Sequence, residues 1–241
     1  MRTRSTRGRR IFFLRSCEIW EWSMTVDEEK IFYNEPYLGQ PLDSFLSSQE
    51  AENVAHFFFY AGMPHLLVNH HDYSEAETVR EKLEERHLRA DAMIPAGYGY
   101  SIFADPQTEL YRASKAYYEN CIRAAKIIGS KRLFICPCNG ILSKRRDENL
   151  KNAARMVQEL LPTAGEQKVQ LVLGTSTRGN SAALNMLSEL YYVYKIANDG
   201  SLGIFYDVLA LEEAGETPEM WKDAWGEKEI YIYPRQRGRQ E

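Results

Sequence analysis

From about residue 50 onward the chain alternates between two spacings of apolar residues. Six short runs are nearly continuous in apolar side chains: 53–62 (NVAHFFFYAG), 88–97 (LRADAMIPAG), 131–138 (KRLFICPC), 168–174 (KVQLVLG), 202–207 (LGIFYD) and 228–234 (KEIYIYP). Each reads as a buried strand. Between them apolar residues recur every three or four positions, which predicts helices over 74–86, 105–129, 147–161, 180–196 and 217–225. In the clearest of these, Leu110, Ala113, Tyr117, Cys121, Ala124 and Ile128 share one face, Asp105 is placed to cap the start with Pro106 at the first helical position, and Gly129 stops the end. Ser74 is the expected cap of the 74–86 helix, and 41–53 reads as a further helix near the start of the alternation. Residues 208–216 read as a loop.

Strands buried on both faces and alternating with helices predict an α/β fold with a parallel, helix-covered sheet. The regular spacing and the length of 241 residues favour a (β/α)8-type barrel. No G-x-G-x-x-G follows the first strand, so a dinucleotide fold has no direct support. Counting a strand at KIFYN (30–34) gives seven, one short of closure. RIFFL (10–14), a partner subunit or residues outside this chain would have to supply the eighth, since an open barrel edge invites aggregation.

Composition narrows the partners. The net charge of −4 gives no reason to expect nucleic acid or a membrane surface as a partner, and no apolar run approaches membrane-spanning length. Arginines crowd residues 1–10 and 235–239 and read as solvated tails. Residues 1–25 are set apart as a basic tail and an uncertain segment, with 26–241 as one barrel domain. The acid-free start resembles a transit peptide, but Ile11–Leu14 is too short for a secretory core, and the expected location is cytoplasmic. Cys17, Cys121, Cys136 and Cys138 lack the paired spacing of a zinc site and read as reduced thiols.

One acid stands out. The run Gly203–Tyr206 ends on Asp207. A carboxylate at a strand's C-terminal end either binds something at the open end of the sheet or serves the loop as a cap or as an ion-pair partner, for example of Arg178. His65, after the 53–62 strand, is open to a structural hydrogen bond or a ligand contact. His70, His71 and Asp72 are three potential ligands in a row, but neighbours on an extended segment point in opposite directions, and a solvated loop is the simpler reading. The 143–148 run SKRRDE follows a strand and reads as a loop and helix start, with phosphate contact the sharper alternative. Tyr192 and Tyr194 read as packing.

Asp207, the Ala214-Gly215-Glu216 that follows and the IYIY strand resemble the C-terminal part of the sugar phosphate isomerase/epimerase family, the xylose-isomerase-like TIM barrels, and most of all their tagatose-3-epimerase-like branch. YAGMPHL (60–66), the 117–135 helix and strand, and VQLVLGTSTRGN (169–180) extend the likeness over roughly residues 40–236. The resemblance implies a divalent metal (Mn, Mg or Co) at the barrel mouth that polarises a sugar while two glutamates move a proton. It also implies departures. Gly174 stands where the family has its first glutamate ligand, Tyr233 where it has a histidine, and Pro95-Ala96 where related barrels carry Pro-Glu. Asp207 is the one ligand kept, and Arg178 is retained.

Two functions follow from the resemblance. One is a sugar or sugar phosphate isomerase or epimerase acting on a small carbohydrate through His65, Arg178, Asp207 and Tyr233. The other is a non-catalytic sugar-binding or companion subunit, in a homo- or hetero-oligomer, with a degenerate metal site. A nuclease of the endonuclease-IV type shares the barrel but needs a richer ligand set than five histidines mostly away from strand ends.

Overall fold

The computed structural model describes residues 33–68, 72–97, 99–140 and 144–233. Six strands, β1 (His56–Ala61), β2 (Arg89–Pro95), β3 (Arg132–Ile135), β4 (Gln170–Gly174), β5 (Gly203–Asp207) and β6 (Ile230–Tyr233), form one parallel sheet in chain order. The sheet curls as an incomplete TIM-type α/β barrel. Helices α1 (Leu42–Ala51), α2 (Ser74–Glu85), α3 (Glu109–Ile128), α4 (Arg146–Gln167), α5 (Leu187–Ala197), α6 (Val208–Ala214) and α7 (Pro218–Trp225), with a 3-10 turn over Glu35–Tyr37, complete the described elements.

The continuous apolar strands follow from burial on both faces. Phe57, Phe59, Leu133, Ile135, Leu171, Leu173, Ile204 and Tyr206 belong to the cluster shared with the helices. Their alternates Ile94, Phe134, Val172, Phe205, Tyr231 and Tyr233 form a second cluster inside the curl, with Phe58, Tyr60 and Cys136 packed on it. Aromatic rings fill that interior: Phe134 lies 5.1 Å from Phe58, 5.2 Å from Phe205 and 5.6 Å from Tyr231 between ring centroids. The interior is a core and not a channel.

Of the seventh strand, Tyr33 lies within the described residues and makes a parallel bridge to Phe58. Asn34 then imitates a strand with its side chain. Its Oδ1 accepts from the Tyr60 N–H at 2.6 Å and its Nδ2 donates to the Tyr60 carbonyl at 3.0 Å. The Tyr33 ring is 6.2 Å from that of Tyr233, so the curl brings the two ends of the sheet together. RIFFL, the terminal arginines, His70 and His71 lie outside the described residues. No helix among the described residues is long and apolar enough to cross a membrane.

Several element starts differ from the sequence pattern, each for a local hydrogen-bonding reason. Helix α3 begins at Glu109, because Thr108 Oγ1 accepts from Tyr111 N at 3.2 Å. Asp105 instead closes a turn on Gln107 N at 3.0 Å and pairs with Lys144 at 2.9 Å, and Leu110 is left 44% exposed. Ser74 does not cap α2 but opens it, donating from N–H and Oγ–H to Asp72 at 2.8 Å each. Helix α4 runs through Pro162 to Gln167, with Leu160 and Ala164 buried on either side of the proline. The stretch expected to start a helix at 180 is a loop until Leu187. Residues 208–214, expected as a loop, form α6.

Candidate functional site

A cleft of about 520 Å³ opens at the C-terminal end of the sheet. One wall is the end of β3 and the loop beyond it, Cys136 to Asn139, together with Gly179 and Asn180 after β4. The other side is Tyr33 and Glu35 at the start of the described chain and Tyr233 at the end of β6. Two main-chain bonds weld the first wall: Asn139 N–H donates to the Asn180 carbonyl at 2.8 Å, and Ala182 N–H to the Asn139 carbonyl at 2.9 Å. Asn139 takes a positive φ of 61° to do so, a conformation asparagine tolerates. Cys121, Cys136 and Cys138 are free, as the sequence reading expects. Burial pushes the Cys138 thiol up, so at neutral pH it is a protonated thiol and not a nucleophile.

The expected site residues all lie at or beyond strand C-terminal ends, and they divide by role. Tyr233 lines the cleft. Asp207 sits beside it, paired in register across β5 and β6, and is buried. It is the N-cap of α6: Oδ1 accepts from Leu209 N at 2.9 Å and Ala210 N at 3.3 Å. That answers why a buried strand ends on an acid, because the carboxylate closes the two donors of a helix that starts with no loop between.

His65 is buried, and both of its ring nitrogens are engaged. Asn34 Nδ2 donates to Nδ1 at 2.8 Å, and Nε2 bonds the Gln40 carbonyl at 2.8 Å. A carbonyl can only accept, so Nε2 carries the proton. Asn34 and His65 thus staple residues 34–40 to the end of β1. Arg178 is exposed, one residue before the cleft-lining Gly179, and its main-chain N–H donates to Glu213 at 2.9 Å.

At Gly174 the barrel interior is already full. A Cβ built there would stand 2.4 Å from three Phe205 ring atoms, Cγ, Cδ2 and Cε2. Phe205 is the register partner of Gly174 on the next strand and is wholly buried, between Phe134 and Tyr233. The ring covers the position from which a carboxylate would have to reach inward. Ala96 is engaged differently, its carbonyl accepting from the Tyr117 hydroxyl. Among the described residues no group of three or more His, Cys, Asp or Glu side chains could hold a metal ion. Among these described residues the donor set therefore does not fit the divalent metal that the resemblance implies, since one capping carboxylate does not hold such an ion against water.

Sequence reading missed Glu35, and it takes Glu216 only as part of a motif, with no role for its carboxylate. Glu35 directly follows the KIFYN run, the same signal that drew notice to Asp207. Glu216 accepts from Leu187 N at 2.9 and 3.1 Å and from Trp221 Nε1 at 2.9 Å, so it caps α5 from the far side of α6. Gly215, with φ 68°, makes the turn that aims it. Arg146 pairs with Glu189 and donates to Asn185 at 2.8 Å, which holds the loop after β4.

The family model for xylose isomerase-like TIM barrels matches residues 54–233. No curated protein matches the chain. Solved structures that resemble it include D-psicose 3-epimerase from Clostridium cellulolyticum H10 with D-tagatose, at 10% identity and TM-score 0.69, covering 85% of this chain and 72% of that one. The apo 3-keto-D-glucoside 4-epimerase YcjR from E. coli aligns at 11% identity and TM-score 0.70, covering 85% and 78%. The IOLI protein, solved with a zinc atom, aligns at 17% identity and TM-score 0.66, covering 83% and 71%. At such identities the likeness is one of fold.

Proposed function

Because the chain belongs to the xylose isomerase-like TIM barrel family, we propose that it binds a small carbohydrate at the barrel mouth without carrying out a metal-dependent proton transfer there. The fold is that of the sugar isomerases and epimerases. The observation that carries the reading is the Phe205 ring over Gly174, which removes both the ligand and the room for one. What the cleft offers in its place suits a polyhydroxy ligand. Tyr33 and Tyr233 bring aromatic surface to its lining, which suits the C–H side of a sugar, and Asn139, Asn180 and Glu35 bring polar groups that suit its hydroxyls. His65 and Asp207 act by fixing the two ends of the wall, and Arg178 stands at its rim.

The test is calorimetric titration with a panel of ketohexoses and ketopentoses, with and without chelator, beside elemental analysis and an epimerisation assay with Mn²⁺, Mg²⁺ and Co²⁺. The expected result is saturable sugar binding that chelation leaves unchanged, weakened by Tyr233→Ala, with no turnover. A stoichiometric metal that is lost in Asp207→Asn, together with metal-dependent turnover, would overturn the reading.

A further inference from the structure

We propose that residues 10–14, RIFFL, dock between β6 and the strand position at Tyr33 as the eighth strand, so that the barrel is closed by the N-terminal segment of its own chain. The inference stands whatever the cleft binds. It begins from the place left in the described sheet. Tyr33 and β1 to β6 hold seven strand positions, and β6, with β5 as its described strand neighbour, ends the sheet. Eight is the strand number at which interior side chains just fill a barrel, and rings already fill this one.

The rings also give the width of the gap. In such a barrel each interior layer is drawn from alternate strands. Phe58 of β1, Phe134 of β3 and Phe205 of β5 obey that rule, with centroids 5.1 and 5.2 Å apart across β2 and β4. Tyr33 and Tyr233 meet in the same way at 6.2 Å, and they fall in one alternate set when a single strand stands between them. The outer face agrees. Ile230 and Ile232 of β6 stay half-buried, whereas Leu133, Ile135, Leu171, Leu173 and Ile204 on β3, β4 and β5 are fully covered.

Three features choose RIFFL as the occupant. It is apolar on both faces, as a strand buried in a parallel barrel must be, and in this it matches HFFFYA of β1. Each described strand lies beside the next in sequence, so a strand that precedes Tyr33 belongs on the side of Tyr33 away from β1, which is the gap. Residues 15–29 then separate RIFFL from KIFYN, and a parallel crossover needs a dozen residues or more. PRQRGRQE, which follows Tyr233 in this sequence, offers no apolar run. With RIFFL in place, Arg15 to Glu18 would leave the strand's C-terminal end at the mouth and enter the cleft between Tyr33 and Tyr233.

Hydrogen exchange read by mass spectrometry on the full chain tests this without a variant. The amides of residues 11–14 are expected to be protected as strongly as those of β6, at every protein concentration. Exchange of 11–14 at the rate of an unfolded chain overturns the proposal, and protection that fades on dilution overturns it in favour of a second copy's segment. The second measurement uses Phe12→Asp and Phe13→Asp, which place a charge on opposite faces of the strand. Each is expected to lower Tm by about 10 °C or more and to speed exchange in β6, while Arg4→Asp leaves both unchanged. Neither phenylalanine variant moving Tm or β6 exchange would also overturn the proposal. Where a variant fails to fold, the exchange pattern of the parent chain decides.

Discussion

Replacing Gly174 with alanine adds one methyl group and tests whether the family's ligand position is sterically closed. The added Cβ would lie 2.4 Å from Phe205 ring carbons, whereas ordinary contact begins at 3.4 Å, so the ring must retreat by 3.4 − 2.4 = 1.0 Å. It has little room to do so, being wholly buried with Phe134 at 5.2 Å and Tyr233 at 5.9 Å. Overpacking of a tight core costs about 1–3 kcal/mol. The backbone at Gly174 is not left-handed, so alanine regains roughly 0.4–1 kcal/mol by restricting the unfolded chain. The net destabilisation is about 1–2 kcal/mol, or a fall of roughly 2–8 °C in Tm for a chain of this size. Phe205→Ala alone should cost about 3–5 kcal/mol, through the cavity it leaves. In that background Gly174→Ala should become neutral or stabilising, because the atoms it strikes are gone. Urea unfolding of the four proteins, followed by circular dichroism, gives the cycle. Additive single effects, or a Gly174→Ala protein as stable as the parent, would refute the placement of the ring. The same geometry predicts that Gly174→Glu alone gains no metal binding.

Asp207→Ala should cost about 0.5–2 kcal/mol by unmaking the α6 cap, and Asp207→Asn much less, since asparagine caps as well; equal losses in urea unfolding would count against a capping role. Asn34→Ala strips bonds from Tyr60 and His65, and leaving such buried groups unsatisfied costs about 1–3 kcal/mol each, with residues 34–40 the first to gain amide exchange. Burial, with Glu229 accepting from its hydroxyl at 2.6 Å, pushes Tyr231 up to about 12 against the opposing Arg132. The folded state thus holds the phenol proton more tightly than the unfolded chain does. This contribution to stability is complete below pH 10 and is lost as pH rises toward about 12. Tyr231→Phe should flatten that alkaline limb, and a limb of unchanged steepness would contradict the assignment.

How much of this was legible in the sequence depended on whether the signal was repetitive. The strands were readable because each carries apolar residues on both faces, and Phe57 and Phe59 behave like Leu171 and Leu173. What the pattern hides is which alternates face inward and how they meet. Gly174 looks like a bare absence in the sequence, and the ring that fills it comes from Phe205, thirty-one positions later (205 − 174 = 31). Helix starts were misplaced wherever the capping side chain competed with a neighbour, as Thr108 did with Asp105. Asp207 ends a buried strand because it caps the helix that follows. Glu35 carries the same signal after a weaker strand, and it is the acid that lines the cleft. An acid at a strand's end marks the right end of the barrel, but the pattern does not tell whether its carboxylate caps the backbone behind it, as Asp207 does, or lines the opening, as Glu35 does.

The order of the sheet has a kinetic consequence. Every strand from β1 to β6 pairs with its neighbour in sequence, so each addition needs only a local loop closure. Such a sheet can grow from its leading edge as the chain leaves the ribosome, one strand and helix at a time. The contact of Tyr33 with Tyr233 does not obey that rule, joining positions 233 − 33 = 200 residues apart. Until β6 arrives, Phe205 and Phe134 lack Tyr231 and Tyr233 as neighbours, and their rings face water across an open trough. The nascent barrel is therefore most exposed to misassociation just before β6 docks, and a chaperone that shields an aromatic trough would act at that step.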